Sequence, residues 1–149
     1  MPDSSPRPAR PRLAAGLLYR IAPLLAPNRG YRRLARALEA SALGYRLFTS
    51  AEKAAKGPLF GCRMCGQCAL PTAGYACPES CPKRLRNGPC GGVGADGSCE
   101  VYPGTRCVWL IAWERAERHG HLADLSYLVP PADHRRQGES AWVNYWQGR

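Results

Sequence analysis

Hydrophobic residues recur at helical spacing in the first third of the chain. Between positions 13 and 26, leucine and isoleucine side chains fall three or four residues apart, which predicts a helix that Pro23 kinks or ends. A second helical pattern runs from about Tyr31 to Phe48. Thr49-Ser50-Ala51-Glu52 then fits a capping box, so a short third helix is predicted to begin there and to end at Gly57.

The helical period disappears between Cys62 and Cys107. This segment holds all eight cysteines together with many glycines and prolines, which predicts loops rather than regular elements. Asp96-Gly97 predicts a short hairpin turn within it. A further helix is predicted over Cys107–His119, where Gly120 would close it.

These patterns divide the chain into three predicted parts. Residues 1–12 are rich in Pro, Ser and Arg and are predicted to be a disordered tail, and residues 13–57 form a basic amphipathic helical extension. Residues 58–149 form a cysteine-rich metal-binding module with a C-terminal helix and an aromatic tail. The fold class that we expect is a small metal-organised α+β or irregular module, in which helices flank a loop-rich cysteine core.

The composition indicates that this fold needs bound metal or covalent cross-links to be stable. Only 25 of the 149 residues are Leu, Ile, Val or Phe, and the formal net charge is +10. Chains so poor in large apolar side chains lean towards disorder unless metal or disulfide bonds hold them together. The charge is also uneven, because residues 1–61 carry a net charge of +8 and residues 62–149 only +2.

The cellular compartment determines whether the cysteines are reduced and bind metal or are oxidised to disulfide bonds. The apolar run near the N-terminus is interrupted by Arg20 and Pro23, so it predicts neither a secretory signal nor a membrane span. We therefore expect a cytoplasmic protein, in which clustered thiols bind metal, and a scaffold of four disulfides is the alternative.

The cysteine spacing favours iron–sulfur ligation over zinc. Two residues separate each of the first three cysteines, and a tight turn of that length aims successive sulfurs at one centre. Such a triplet followed by Cys-Pro is typical of bacterial [4Fe–4S] proteins, whereas structural zinc sites usually combine two separated pairs. The spacing does not assign the remaining ligands, so one or two [4Fe–4S] clusters are expected and Zn is the alternative. The eight candidate metal ligands are Cys62, Cys65, Cys68, Cys77, Cys81, Cys90, Cys99 and Cys107.

Other polar residues carry weaker signals. The three histidines are expected to be solvent-exposed, since eight thiolates already suffice for two centres. Lys83, Arg84 and Arg86 lie between cysteines and either offset the negative charge of a thiolate-ligated cluster or form a solvated surface. No nucleophile–base pair or pair of carboxylates stands out, so we expect the chain not to be catalytic alone.

An ordered series of motifs resembles a known family. The series begins with Leu59-Phe60-Gly61-Cys62 and Cys65-Gly66-x-Cys68, and it continues with Cys77-Pro78-x-x-Cys81-Pro82-Lys83. It ends with Asn87-Gly88-Pro89-Cys90-Gly91-Gly92, Gly97-x-Cys99-Glu100-Val101, Cys107-Val108-Trp109 and the terminal Ser140-x-Trp142-x-Asn144. Together these motifs resemble the methylenetetrahydrofolate reductase C-terminal domain over about residues 52–149.

The resemblance implies a function and a partner. Members of that family are fused to a flavin-containing reductase or accompany it as a small subunit, and the small subunits of acetogenic bacteria are associated with iron–sulfur clusters. By resemblance, all eight cysteines are metal ligands and the partner is the flavin-containing catalytic subunit. The flavin barrel is absent from this sequence, so the chain is expected to be an accessory or electron-transfer subunit in one-carbon metabolism.

Three other functions compete with this expectation. A zinc module could stabilise the reductase without redox activity. The arginine-rich N-terminal part suggests nucleic-acid binding, but no zinc-finger spacing accompanies it, so no specific nucleic acid is expected as a partner. Contact of the basic helices with an anionic membrane surface is the third alternative, and the apolar helix faces are expected to cover the module or the partner instead.

Overall fold

Within residues 15–149, five α-helices frame a long irregular segment. The computed structural model describes residues 15–149, so the predicted tail at 1–12 lies outside the described residues. The helices are α1 (Ala15–Ile21), α2 (Arg29–Ala40), α3 (Ala42–Phe60), α4 (Val108–His119) and α5 (Ala141–Gln147), and short 3₁₀ helices connect them. As predicted, the α-helical geometry of α1 stops before Pro23, and a 3₁₀ helix continues over Ala22–Leu25.

The second and third helices break at a different place from the one predicted. Ser41 ends α2 and caps α3, because its side-chain oxygen accepts a hydrogen bond from the Gly44 N–H at 3.1 Å. The prediction of a new helix opening at Thr49 was wrong, and so was its predicted end at Gly57. The helix α3 runs through both positions and ends at Phe60, where Gly61, which has a left-handed backbone, caps it.

The cysteine-bearing segment is irregular. The strands implied by an α+β fold do not form in the part of the chain that the structure describes. The predicted hairpin reduces to two isolated antiparallel bridges, Val93 with Cys99 and Ser98 with Arg106. Two 3₁₀ turns, Pro71–Ala73 and Pro78–Ser80, interrupt the loop.

The predicted helix after Cys107 is confirmed. It forms α4, and Gly120 closes it in a left-handed conformation. Trp109 is buried on this helix and donates a hydrogen bond from its indole to the Leu85 carbonyl, whereas Trp113 is 54% exposed.

The C-terminal helix packs against α2 and α3. Trp146 is only 3% exposed and stacks on Tyr31 with ring centroids 4.7 Å apart. The Trp146 ring therefore fills the core between α2, α3 and α5 together with Ala35 and Val143.

Helix α3 connects the predicted extension to the predicted module. It crosses position 57, at which the sequence patterns place the boundary, and it ends one residue before the first Cys loop. Among residues 15–149, none of the helices is both long and apolar enough to cross a bilayer.

Candidate metal centres

The first three cysteines lie on two tight turns that begin where α3 ends. Met64 and Gly66 both have left-handed backbones, with φ of 51° and 74°, and they reverse the chain between successive cysteines. The Met64 N–H points at the Cys62 sulfur at 3.4 Å. Backbone N–H groups directed at sulfur stabilise thiolates, so the local conformation suits anionic sulfur ligands.

Cys77 joins these three to make a first group of four, which we call set A: Cys62, Cys65, Cys68 and Cys77. Burial raises the pKa of Cys62 to about 11, and repulsion by Cys68 and Cys65 contributes to the rise. Burial likewise raises the pKa of Cys77 well above that of an ordinary thiol, and the nearby sulfurs of set A raise it further. The four sulfurs thus lie within electrostatic range of one another, and metal ions bind cysteine as the thiolate.

The other four cysteines share a second location, which we call set B: Cys81, Cys90, Cys99 and Cys107. All four line one cavity of about 30 Å³. Two backbone hydrogen bonds hold this pocket together, from the Cys99 N–H to the Thr105 carbonyl and from the Cys107 N–H to the Gly97 carbonyl, both at 2.9 Å. Cys107 also immediately precedes α4, so the positive end of that helix lies beside set B.

A single 3₁₀ turn separates the two sets. Pro78–Ser80 lies between Cys77 and Cys81, and it directs these two cysteines into different parts of the core. Cys77 packs with Cys68 in one apolar cluster, whereas Cys81 packs with Cys107 in another. The hydrophobic packing of these four cysteines therefore agrees with the division that the electrostatics and the cavity give.

Two buried polar residues, Arg86 and Asn144, support the set A loop through contacts that the sequence does not predict. Arg86 donates hydrogen bonds to Glu79 at 3.1 Å and to the Gln67 carbonyl at 2.9 Å, and both charged side chains are buried. Asn144, from the terminal motif, donates to the Gly66 carbonyl at 2.9 Å. The only sequence signal for Arg86 was its position between cysteines. Lys83 and Arg84, which share that position, are exposed to solvent, whereas Arg86 is buried.

The histidines lie elsewhere. His121 stacks on Tyr19 with ring centroids 4.0 Å apart, and His119 packs at an angle on the same ring. His119 and His134 are exposed as expected, while His121 is half-buried.

Gly66 is required by its surroundings. A Cβ at this position would approach the Arg136 carbonyl oxygen to 2.4 Å, and φ is +74°. We predict that Gly66→Ala lowers the free energy of unfolding by at least about 2 kcal/mol, since a clash with backbone adds to left-handed strain.

The control for this prediction is Gly104→Ala. Gly104 lies in an exposed turn, has no left-handed φ and has open space where a Cβ would stand, so alanine there should change the free energy of unfolding by less than about 1 kcal/mol. Urea denaturation of both variants measures the difference, and equal effects would show that Gly66 tolerates a side chain.

The donor chemistry of both sets fits a metal centre. Each set offers four thiols, and four thiolates are the ligand complement of structural zinc and of [4Fe–4S] clusters alike. All eight cysteines are free of disulfide bonds. As the side chains are placed in residues 15–149, no three His, Cys, Asp or Glu groups form a complete metal-binding group. Closing each set on a metal therefore requires side-chain rearrangement.

A comparison with protein families gives a match over more than half of the chain. The family model described as methylene-tetrahydrofolate reductase C terminal matches residues 44–135, which are 92 of the 149 residues. The match includes all eight cysteines and most of α3, and it stops before the terminal Ser140-x-Trp142-x-Asn144 motif. Searches of curated proteins and of solved structures found no significant match.

Proposed function

The chain belongs to the methylene-tetrahydrofolate reductase C-terminal family, and from this membership we propose that it is a metal-binding accessory subunit of such a reductase. In this proposal set A and set B hold iron–sulfur clusters, and the chain exchanges electrons with the flavin-containing catalytic subunit. It is not catalytic by itself. Its place in one-carbon metabolism follows from that partner.

The observation that carries the proposal is the division of eight free thiols into two groups of four. A structural role for cysteine as a small apolar residue would not require four of them around one small cavity. Disulfide formation would leave pairs, whereas all eight cysteines are unpaired. Four sulfur donors at each of two places are the number that two tetrathiolate centres need.

The residues of this chain have defined tasks in the proposal. Cys62, Cys65, Cys68 and Cys77 would hold one group, and Cys81, Cys90, Cys99 and Cys107 the other. A bound [4Fe–4S] cluster would supply one-electron transfer, which side chains alone cannot provide. The Arg86–Glu79 pair would fix the set A loop, and Arg86 would also partly offset the negative charge of thiolate sulfur nearby.

A structural zinc site is the second candidate, and one observation favours it for set B. The cavity that these four cysteines line, about 30 Å³, has room for one or two water molecules and hence for a single ion. A cubane cluster would require the surrounding loops to move apart. In this alternative the chain stabilises its partner without redox activity.

Metal analysis of the chain purified without oxygen tests the proposal. We expect about eight irons and eight acid-labile sulfides per chain for two clusters, with a broad visible band that dithionite bleaches. About four irons together with one zinc would assign a cluster to one set and zinc to the other. Zinc alone, with a colourless protein, would rule out electron transfer and leave the structural role.

A further inference from the structure

A wide cavity of about 790 Å³ opens beside set A, and Cys62 forms part of its wall. Its lining comes from three separate parts of the chain: one face of α3, the loops around the first cysteines and Arg84, and the 3₁₀ turn at His134–Arg136. The volume is in the range of pockets that hold small molecules, about 300–1,000 Å³. The metal-binding role does not use this cavity.

The lining of the cavity is strongly cationic. Arg46 and Lys53 reach it from exposed positions on α3, and Arg63 and Arg84 lie around the rest of its wall. Among the described residues that line it, the only carboxylate belongs to Glu79, which is buried in an ion pair with Arg86 at 3.1 Å. The positive charge at the wall is therefore not balanced by this carboxylate.

Hydroxyl groups between these cations offer further donors. The Thr49 hydroxyl oxygen is shielded from solvent and has no hydrogen-bond partner among the described residues. Tyr45 accepts a hydrogen bond from the Ser140 N–H at 3.0 Å, which leaves its own O–H free to donate to another group. Tyr45 therefore supplies a hydroxyl donor at the cavity wall, whereas the Thr49 hydroxyl would reach a bound acceptor only after its side chain rotates.

We propose that this cavity binds a small, multiply charged oxyanion, carrying phosphate or carboxylate groups, next to set A. Arginine and lysine side chains with hydroxyl donors between them form the charge-assisted hydrogen bonds that such anions require. The net charge of +10 does not by itself explain the arrangement, because Arg32 and Arg33 on α2 are also exposed but line no part of this cavity. The proposal does not depend on which metal the cysteines hold.

Calorimetric titration of the metal-loaded full chain with inorganic pyrophosphate tests this site, with tricarballylate as the carboxylate probe. We expect saturable binding of at least one of these anions, and the tighter one identifies the preferred chemistry. The double variant Arg46→Gln/Lys53→Gln should weaken it at least about tenfold, because two charge-assisted contacts are lost. Metal content is measured before and after each titration, so that extraction of metal by the probe is detected.

The matched control is Arg32→Gln/Arg33→Gln, which removes the same two charges from exposed helical positions outside the cavity. It should change the affinity less than about twofold. Equal weakening by both double variants would overturn the proposal, because binding would then reflect diffuse net charge. The absence of saturable binding of both probes would also overturn it. An acidic protein surface would then be the better candidate for a partner that binds these cationic side chains.

Discussion

A Cys77→Ser variant is expected to lose about half of the metal that the wild-type chain binds, and a Cys81→Ser variant the other half. The two residues are four positions apart, each is followed by proline, and each is 8% exposed. They differ in the group to which the fold assigns them. Each variant is thus the matched control for the other.

The physical reason lies in the 3₁₀ turn between them. Pro78–Ser80 sends Cys77 towards Cys68 and the rest of set A, whereas Cys81 faces Cys107 and the set B cavity. Loss of one thiolate from a four-sulfur site weakens or abolishes metal binding at that site, because the remaining ligands cannot complete the coordination. The other site keeps all its ligands.

Double variants make the test decisive. Adding Cys62→Ser to Cys77→Ser should remove little further metal, since both residues belong to set A, whereas adding Cys81→Ser should remove nearly all of it. Iron, zinc and acid-labile sulfide per chain are measured by elemental and colorimetric analysis, and circular dichroism checks that the helices remain. The assignment is wrong if the Cys62/Cys77 pair loses as much metal as the Cys77/Cys81 pair while both variants stay folded.

Local signals in the sequence predict the helices well. Pro23 and Gly120 stop α1 and α4 for reasons that act within one turn, namely a missing N–H with a fixed φ and a left-handed closing residue. The sequence places the break between the second and third helices at Thr49 instead of Ser41, because both residues offer a hydroxyl group that could cap a helix. Ser41 caps α3, whereas the capping-box pattern at Thr49 occurs inside a helix whose Glu52 has tertiary partners instead.

The sequence singles out the eight cysteines as candidate metal ligands, but it does not predict how the fold divides them. Cys77 and Cys81 carry the same local pattern, so spacing alone cannot separate them. The separation depends on which apolar neighbours each one meets, and these neighbours, such as Cys107 and Trp109, come from distant parts of the chain. The structural roles of Arg86 and Asn144 could not be predicted either, because tertiary folding determines that their partners are Glu79 and Gly66.

The second large effect is expected at Glu52, which ties the C-terminal segment to α3. Its carboxylate pairs with Lys56 at 2.5 Å, and it accepts hydrogen bonds from the Ser140 hydroxyl at 2.6 Å and the Trp142 N–H at 3.3 Å. Both charged side chains are almost wholly buried, with exposures of 3% for Glu52 and 9% for Lys56. Glu52→Gln would leave the Lys56 ammonium buried without its counter-charge.

Removing one partner of a buried ion pair typically costs about 3–5 kcal/mol, so Glu52→Gln should lower the free energy of unfolding by that order. The control is Glu39→Gln, because Glu39 forms a partly exposed pair with Arg149 and exposed pairs contribute at most about 1 kcal/mol. The double variant Glu52→Gln/Lys56→Met should recover much of the loss, since no charge then remains buried. Urea denaturation of all three variants measures these differences. If Glu52→Gln proves no more damaging than Glu39→Gln, the buried network is not what attaches α5 to α3, and the aromatic contacts of Trp146 must supply that attachment instead.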